Sequence, residues 1–103
     1  MKIKLFCNAG MSTSLLVERM KEAAAKRGLD VSIVAYPEAR LEVETTDCDV
    51  ALLGPQVRYV LENAQKICGE RGIPVDVIPM QLYGMVNGEG VLDHALELAK
   101  RST

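Results

Sequence analysis

The chain is expected to fold as an α/β domain: a small doubly wound, four-stranded parallel sheet, order 2-1-3-4, with helices on both faces. Two observations carry this expectation. Short apolar runs alternate with segments whose apolar residues recur at helical spacing, the pattern of strands joined by right-handed crossovers. One run, Val50 to Leu53, is almost wholly apolar, as a strand is when both faces of its sheet are covered.

Each element follows in turn. Ile3 to Phe6 is a short strand ending at Cys7. Ser14 to Arg27 is a helix: Leu16, Met20, Ala23 and Ala24 share a face, Lys26 and Arg27 fill the last turn, and Gly28 suits the position just past the end. Val31 to Tyr36 is the second strand, stopped by Pro37, and Glu38 to Glu44 is a short helix. Val50 to Leu53 is punctuated by Gly54-Pro55. Val57, Val60, Leu61, Ala64 and Cys68 then mark a helix ending near Gly69. Pro74 to Ile78 is the fourth strand, stopped by Pro79, with a Leu-Tyr-Gly turn beyond it. Leu92, Ala95, Leu96 and Ala99 place an apolar stripe on a final helix.

Composition narrows the function classes. With 103 residues, 49% of them apolar and 25% charged, the chain reads as one soluble domain over residues 1–103, with material for a real core. The net charge of -2 and the lack of a Lys/Arg cluster argue against a nucleic-acid partner. No apolar run reaches the roughly 20 residues a membrane span needs, and the first ten residues lack the apolar stretch of a signal peptide. Three widely spaced cysteines point to a reducing compartment and not to a disulfide framework, and no Cys/His cluster suggests a metal. No cofactor is expected.

The chemistry concentrates in Cys7-Asn8-Ala9-Gly10-Met11-Ser12-Thr13-Ser14. In a doubly wound fold the site lies beyond the carboxyl ends of the strands, at the switch point, here flanked by the loops that begin at Cys7 and Gly54. A strand-to-helix loop aims backbone N–H groups at one point, and a helix N-terminus favours an anion. Gly10 tolerates the dihedrals such a loop demands, and Ser12, Thr13 and Ser14 add hydroxyls and capping candidates. The donors that cradle a phosphate also stabilise a thiolate, the reactive form of cysteine. Cys48 and Cys68 read instead as small core hydrophobes. The loop has Thr13 where Cys-x5-Arg phosphatases place the Arg that clamps the phosphoryl oxygens, and no Asp-Pro pair offers a general acid. A phosphocysteine carrier fits these residues better than the alternative, a small cysteine-dependent phosphatase of the low-molecular-weight type. A receiver-like interaction module fits worse, because the first strand ends in Phe6-Cys7 with no acidic pocket.

The blocks LFCNAGMSTSLLV, LLGPQ at 52 to 56 and LYG at 82 to 84 closely resemble the IIB subunit of bacterial sugar phosphotransferase systems, in the cellobiose-type branch of the lactose/chitobiose family. The resemblance spans nearly the whole chain. It implies a cysteine, matched by Cys7, that accepts a phosphoryl group from a phosphohistidine of a IIA partner. That group then passes to a β-linked disaccharide held by the membrane subunit IIC, so the sugar is reached only through IIC. Asn8 to Ser14 match the phosphate loop, with Asn8 in a backbone role only. The implied location is the cytoplasm, with transient docking at the inner face of the membrane. Three further residues are candidates for the site border or a partner surface. Gln56 either donates a hydrogen bond beside the loop or simply starts a helix. Tyr83 either borders the phosphocysteine or covers the core edge. Leu15, with Met11 and Tyr83, forms a candidate apolar docking patch. His94 falls off the apolar stripe and is expected to be an exposed bystander.

Overall fold

A computed structural model describes residues 1–8 and 11–101, with the side chains of Met11 and Ser12 outside the description. Strands β1 (Lys2–Cys7), β2 (Ser32–Pro37), β3 (Val50–Leu53) and β4 (Val75–Val77) form one sheet in the order β2-β1-β3-β4. Every pairing is parallel, as the alternation of strands and helices predicts. The helices are α1 (Met11–Lys26), α2 (Leu41–Glu44), α3 (Leu61–Glu70), α4 (Met80–Gly84) and α5 (Gly88–Arg101).

Strand alternation divides the core between the two faces of the sheet. Ile3 and Leu5 of β1 and Val50 and Leu52 of β3 join Leu16 and Met20 of α1 and Val91, Leu92 and Ala95 of α5. Phe6, Ala51 and Leu53 face the other way, onto Leu41 of α2 and Ala64 and Cys68 of α3. Ile3, Leu5, Phe6, Leu52 and Leu53 are at most 1% exposed, and each such side chain contributes about 1.5–3 kcal/mol of transfer free energy. The same alternation carries Lys4 to the second face, where its ammonium donates to the Glu44 carbonyl at 2.9 Å, lies 3.3 Å from the Glu44 carboxylate and sits 5.4 Å from the centre of the Tyr36 ring. A buried ammonium needs such partners. The bond from Arg40, reinforced by Lys4, holds the Glu44 carboxyl below its ordinary range.

The termini of several elements differ from the sequence expectation; Pro37, for one, is the last residue of β2, and Glu38–Arg40 is a 3₁₀ turn ahead of α2. Helix α1 starts at Met11 and not at Ser14, so Thr13 lies in its first turn instead of preceding it. Its end is as expected: Gly28 takes φ +66° and Leu29 N–H returns to the Ala24 carbonyl at 2.9 Å. The segment after Gly54 opens as a 3₁₀ stretch, Pro55–Val60, in which buried Val57 leaves helical geometry (φ -115°, ψ 23°). Helix α3 therefore begins only at Leu61; it ends at Glu70, near Gly69 as expected, with Gly72 (φ +71°) in the left-handed conformation just beyond. The Leu-Tyr-Gly turn is part of a short helix, α4, closed by Val86 at φ +50°, a strained conformation for a β-branched residue. Asn87 then caps α5, its Oδ1 accepting from Gly90 N–H at 2.9 Å.

His94 is not the exposed bystander its sequence position suggests. Its side chain is 19% exposed, and Nε2 lies 3.2 Å from Asp76 Oδ2 of β4, because α5 packs over the edge of the sheet and the residue flanking its apolar stripe meets that strand.

Candidate functional site

Cys7 is the last residue of β1, on the same face as Ile3 and Leu5, and is 4% exposed. Its neighbour in the sheet, β3, ends at Leu53, so Cys7 and Gly54 stand side by side where the crossovers part in opposite directions. The Gly54 N–H donates to the Phe6 carbonyl at 2.8 Å, continuing the ladder one residue beyond β3. A methyl group on Gly54 would place its carbon 2.9 Å from the Cβ of Cys7, so glycine there leaves the cysteine its space.

The early start of α1 determines what touches the thiol. Thr13 sits in the first turn, 3% exposed, with Oγ1 2.9 Å from Cys7 Sγ. On its other side, Oγ1 lies 2.8 Å from the hydroxyl of Tyr83, carried by α4 and 9% exposed. Two consecutive elements, β1 and α1, and the distant α4 thus close a buried line from Tyr83 through Thr13 to Cys7. A thiol or a hydroxyl can donate or accept and a thiolate only accepts, so this line holds the sulfur in place and can offer it a hydrogen-bond donor. No basic side chain is hydrogen-bonded to Cys7 or Thr13 among the described residues.

The other candidates divide. Asn8 is exposed directly after the strand, Ser14 is exposed in the groove between α1 and β2, and Leu15 is 45% exposed. Ala9 and Gly10 lie outside the described residues, as do the side chains of Met11 and Ser12. Gln56 is exposed, with Oε1 3.2 Å from where a Gly54 methyl carbon would stand, so it borders the same corner. Tyr83 cannot belong to an exposed docking patch with Leu15: the short helix α4 turns its ring inward and its hydroxyl onto Thr13. Met80, 59% exposed at the start of α4, is an exposed apolar residue that the sequence did not single out.

The other two thiols sit in different surroundings. Burial pushes the Cys48 thiol up to about 11 and raises that of Cys68 as well. Among the described residues no three His, Cys, Asp or Glu side chains gather as a metal site. No helix among them is long and apolar enough to cross a membrane.

Sequence signals account for Cys7, the hydroxyls after it and the Gly-Pro punctuation. They do not account for the bond between Thr13 and Tyr83, which joins residues 70 positions apart.

Known proteins give the same picture. Residues 2–94 match the family described as the lactose/cellobiose-specific IIB subunit of the phosphotransferase system. The galactose-specific EIIB component of Lactococcus lactis subsp. cremoris is 45% identical over 101 residues, covering 93% of this chain and 94% of that protein. The oligo-beta-mannoside-specific EIIB component of Bacillus subtilis is 39% identical over 97 residues, covering 94% of each. The solution structure of the cellobiose-specific phosphotransferase IIB component of Borrelia burgdorferi superposes with a TM-score of 0.83 at 38% identity, over 100% of this chain and 94% of that one. The lactose-specific IIB domain of Streptococcus pneumoniae, at 19% identity and a TM-score of 0.81 over 94% of this chain and 95% of that one, shares the fold. With its parallel sheet, its cysteine at the switch point and relatives along nearly its whole length, the chain belongs to the lactose/cellobiose-specific IIB subunits of the sugar phosphotransferase system.

Proposed function

We propose that Cys7 is the phosphoryl carrier of this IIB subunit and that residues 1–103 form a single carrier domain. Cys7 Sγ attacks the phosphorus of a phosphohistidine on a IIA partner. The S–P bond forms as the N–P bond breaks, and the electron pair stays on the imidazole nitrogen. A hydroxyl of a sugar held by a membrane IIC partner then attacks phosphorus, its proton passing to a base beside the sugar. The S–P bond breaks and its electron pair returns to sulfur as thiolate. The observation that carries this reading is the place of Cys7: the end of β1 at the switch point, beside Gly54, with the Thr13 hydroxyl at 2.9 Å. A helix N-terminus offers unpaired N–H groups and a positive dipole end to phosphoryl oxygens, and α1 starts at Met11, within the stretch Asn8 to Ser14 to which this reading gives the phosphate. The sugar belongs to the β-linked disaccharides, a class consistent with relatives specific for cellobiose and oligo-beta-mannoside. The carrier works in the cytoplasm and docks transiently at the inner membrane face, with Leu15 and Gln56 on the surface it presents.

A phosphatase reading finds no support at the decisive position. Where a Cys-x5-Arg loop would place its guanidinium, Thr13 is buried and committed to Cys7 and Tyr83.

The test is Cys7→Ser. A serine hydroxyl fills nearly the same space but is a poor nucleophile without a base. Incubated with phosphorylated IIA partner, the variant is expected to take up no phosphoryl group by mass spectrometry while its circular dichroism spectrum matches wild type. Retained incorporation would assign the carrier role to another residue.

A further inference from the structure

We infer that Tyr83 is a positioning residue for phosphoryl transfer, acting through Thr13 on the sulfur of Cys7; this rests on Cys7 being the carrier. Hydrogen-bond accounting carries the inference. A thiolate only accepts, so when Cys7 is ionised the single hydrogen of Thr13 must point at Sγ. The Thr13 oxygen, 3% exposed and 2.8 Å from Tyr83 Oη, then accepts from the tyrosine hydroxyl. The line runs from Tyr83 to Thr13 to sulfur, each bond polarising the next in a site with little water.

Without Tyr83 the threonine has an alternative. A hydroxyl rotates freely about its C–O bond, and many of its orientations take the hydrogen away from the sulfur. Tyr83 occupies the accepting side of Thr13 and so favours the rotamer that serves Cys7. The two states of the carrier use the line differently. In the phosphorylated state the sulfur shares its electron pair with phosphorus and is a weak acceptor. When the S–P bond breaks, that pair returns to sulfur, and a donor already aimed there stabilises the forming charge without reorganisation. Tyr83 therefore assists release of the phosphoryl group more than its capture. Its hydroxyl is buried, so it does this without touching either partner.

The test uses the full chain with Tyr83→Phe, which keeps the ring in the core and removes only the hydroxyl. Isolated phospho-protein is mixed with unphosphorylated IIA partner, and the return of the phosphoryl group is followed at varied partner concentration. The maximal rate is expected to fall about three- to ten-fold, the scale of one hydrogen bond, at an unchanged half-saturating concentration. In a Thr13→Val background Tyr83→Phe is expected to have no further effect, while in Thr13→Ser, which restores a hydroxyl, the dependence on Tyr83 returns. A Tyr83→Phe rate equal to wild type, or an equal added loss in Thr13→Val, overturns the inference. Failure of the carrier reading shows separately, as phosphoryl uptake by Cys7→Ser.

Discussion

An alanine at position 54 would bring its methyl carbon to 2.9 Å from Cys7 Cβ and 3.2 Å from Gln56 Oε1. Gln56 is an exposed flexible side chain and can move aside, whereas Cys7 is held by the β1 backbone and by Thr13. Gly54→Ala is therefore expected to destabilise the fold by about 1–3 kcal/mol, the usual cost of overpacking. It is also expected to displace the sulfur from its donor. Urea unfolding measures the first effect and phosphoryl uptake per folded molecule the second. Loss of stability with full uptake would mean that the sulfur tolerates displacement. This residue was half legible in the sequence. Gly-Pro after an apolar run marks the end of a strand, but only the sheet order puts that end against Cys7. Tyr83 was less legible still. An aromatic near the end of a short segment fits an exposed patch and a buried bond equally well, and its partner Thr13 lies in another helix.

At the scale of elements, the strands and long helices were readable because apolar periodicity over many residues reflects burial directly. The joints were not, because short segments carry too few residues to show a period. Helix α4 is five residues long, and the stretch from Pro55 to Val60 departs from α geometry at one buried valine. The start of α5 is such a joint, where tertiary packing decides. Gly88 meets α1 so closely that an added methyl carbon would lie 2.3 Å from the Arg19 carbonyl carbon and 2.5 Å from the Met20 nitrogen. Backbone atoms cannot rotate away, so Gly88→Ala is expected to push α5 off α1 and to cost at least the ~1–3 kcal/mol of ordinary overpacking. Gly69 lies within α3, where a methyl group meets nothing within 4 Å. Gly69→Ala is expected to stabilise by roughly 0.5–1 kcal/mol, since alanine loses less backbone entropy in a helix. Denaturation midpoints of the two variants should move in opposite directions; a shared direction would mean that α1 and α5 do not pack at Gly88 as described.

At the scale of the whole molecule, burial gives two of the three thiols a pH signature. Cys48 and Cys68 lie in and around the core, where burial raises them, Cys48 to about 11. In the unfolded chain a cysteine ionises near ~8.5. Between that value and the folded one, the folded chain keeps protons that the unfolded chain has released, so rising pH favours unfolding. The contribution of Cys48 is thus intact below the unfolded value and lost as pH climbs through about 11; Cys68 acts in the same direction. Two surface groups that titrate in this range share that sign: Lys2 is raised chiefly by its hydrogen bond to Asp47, and Tyr59 chiefly by the charge of Glu38. Those pairs are solvent-exposed, so 1 M salt, with a screening length of ~3 Å, weakens them relative to the half-buried Cys48 and buried Cys68. Under reducing conditions in that salt, the urea midpoint is expected to fall between pH 8.5 and 11. The decline is expected to flatten in the Cys48→Ala, Cys68→Ala double variant. Alanine at position 68 removes core volume and lowers the midpoint at every pH, so the slope is the quantity that decides. An equal slope in wild type and double variant would move the alkaline sensitivity away from these thiols.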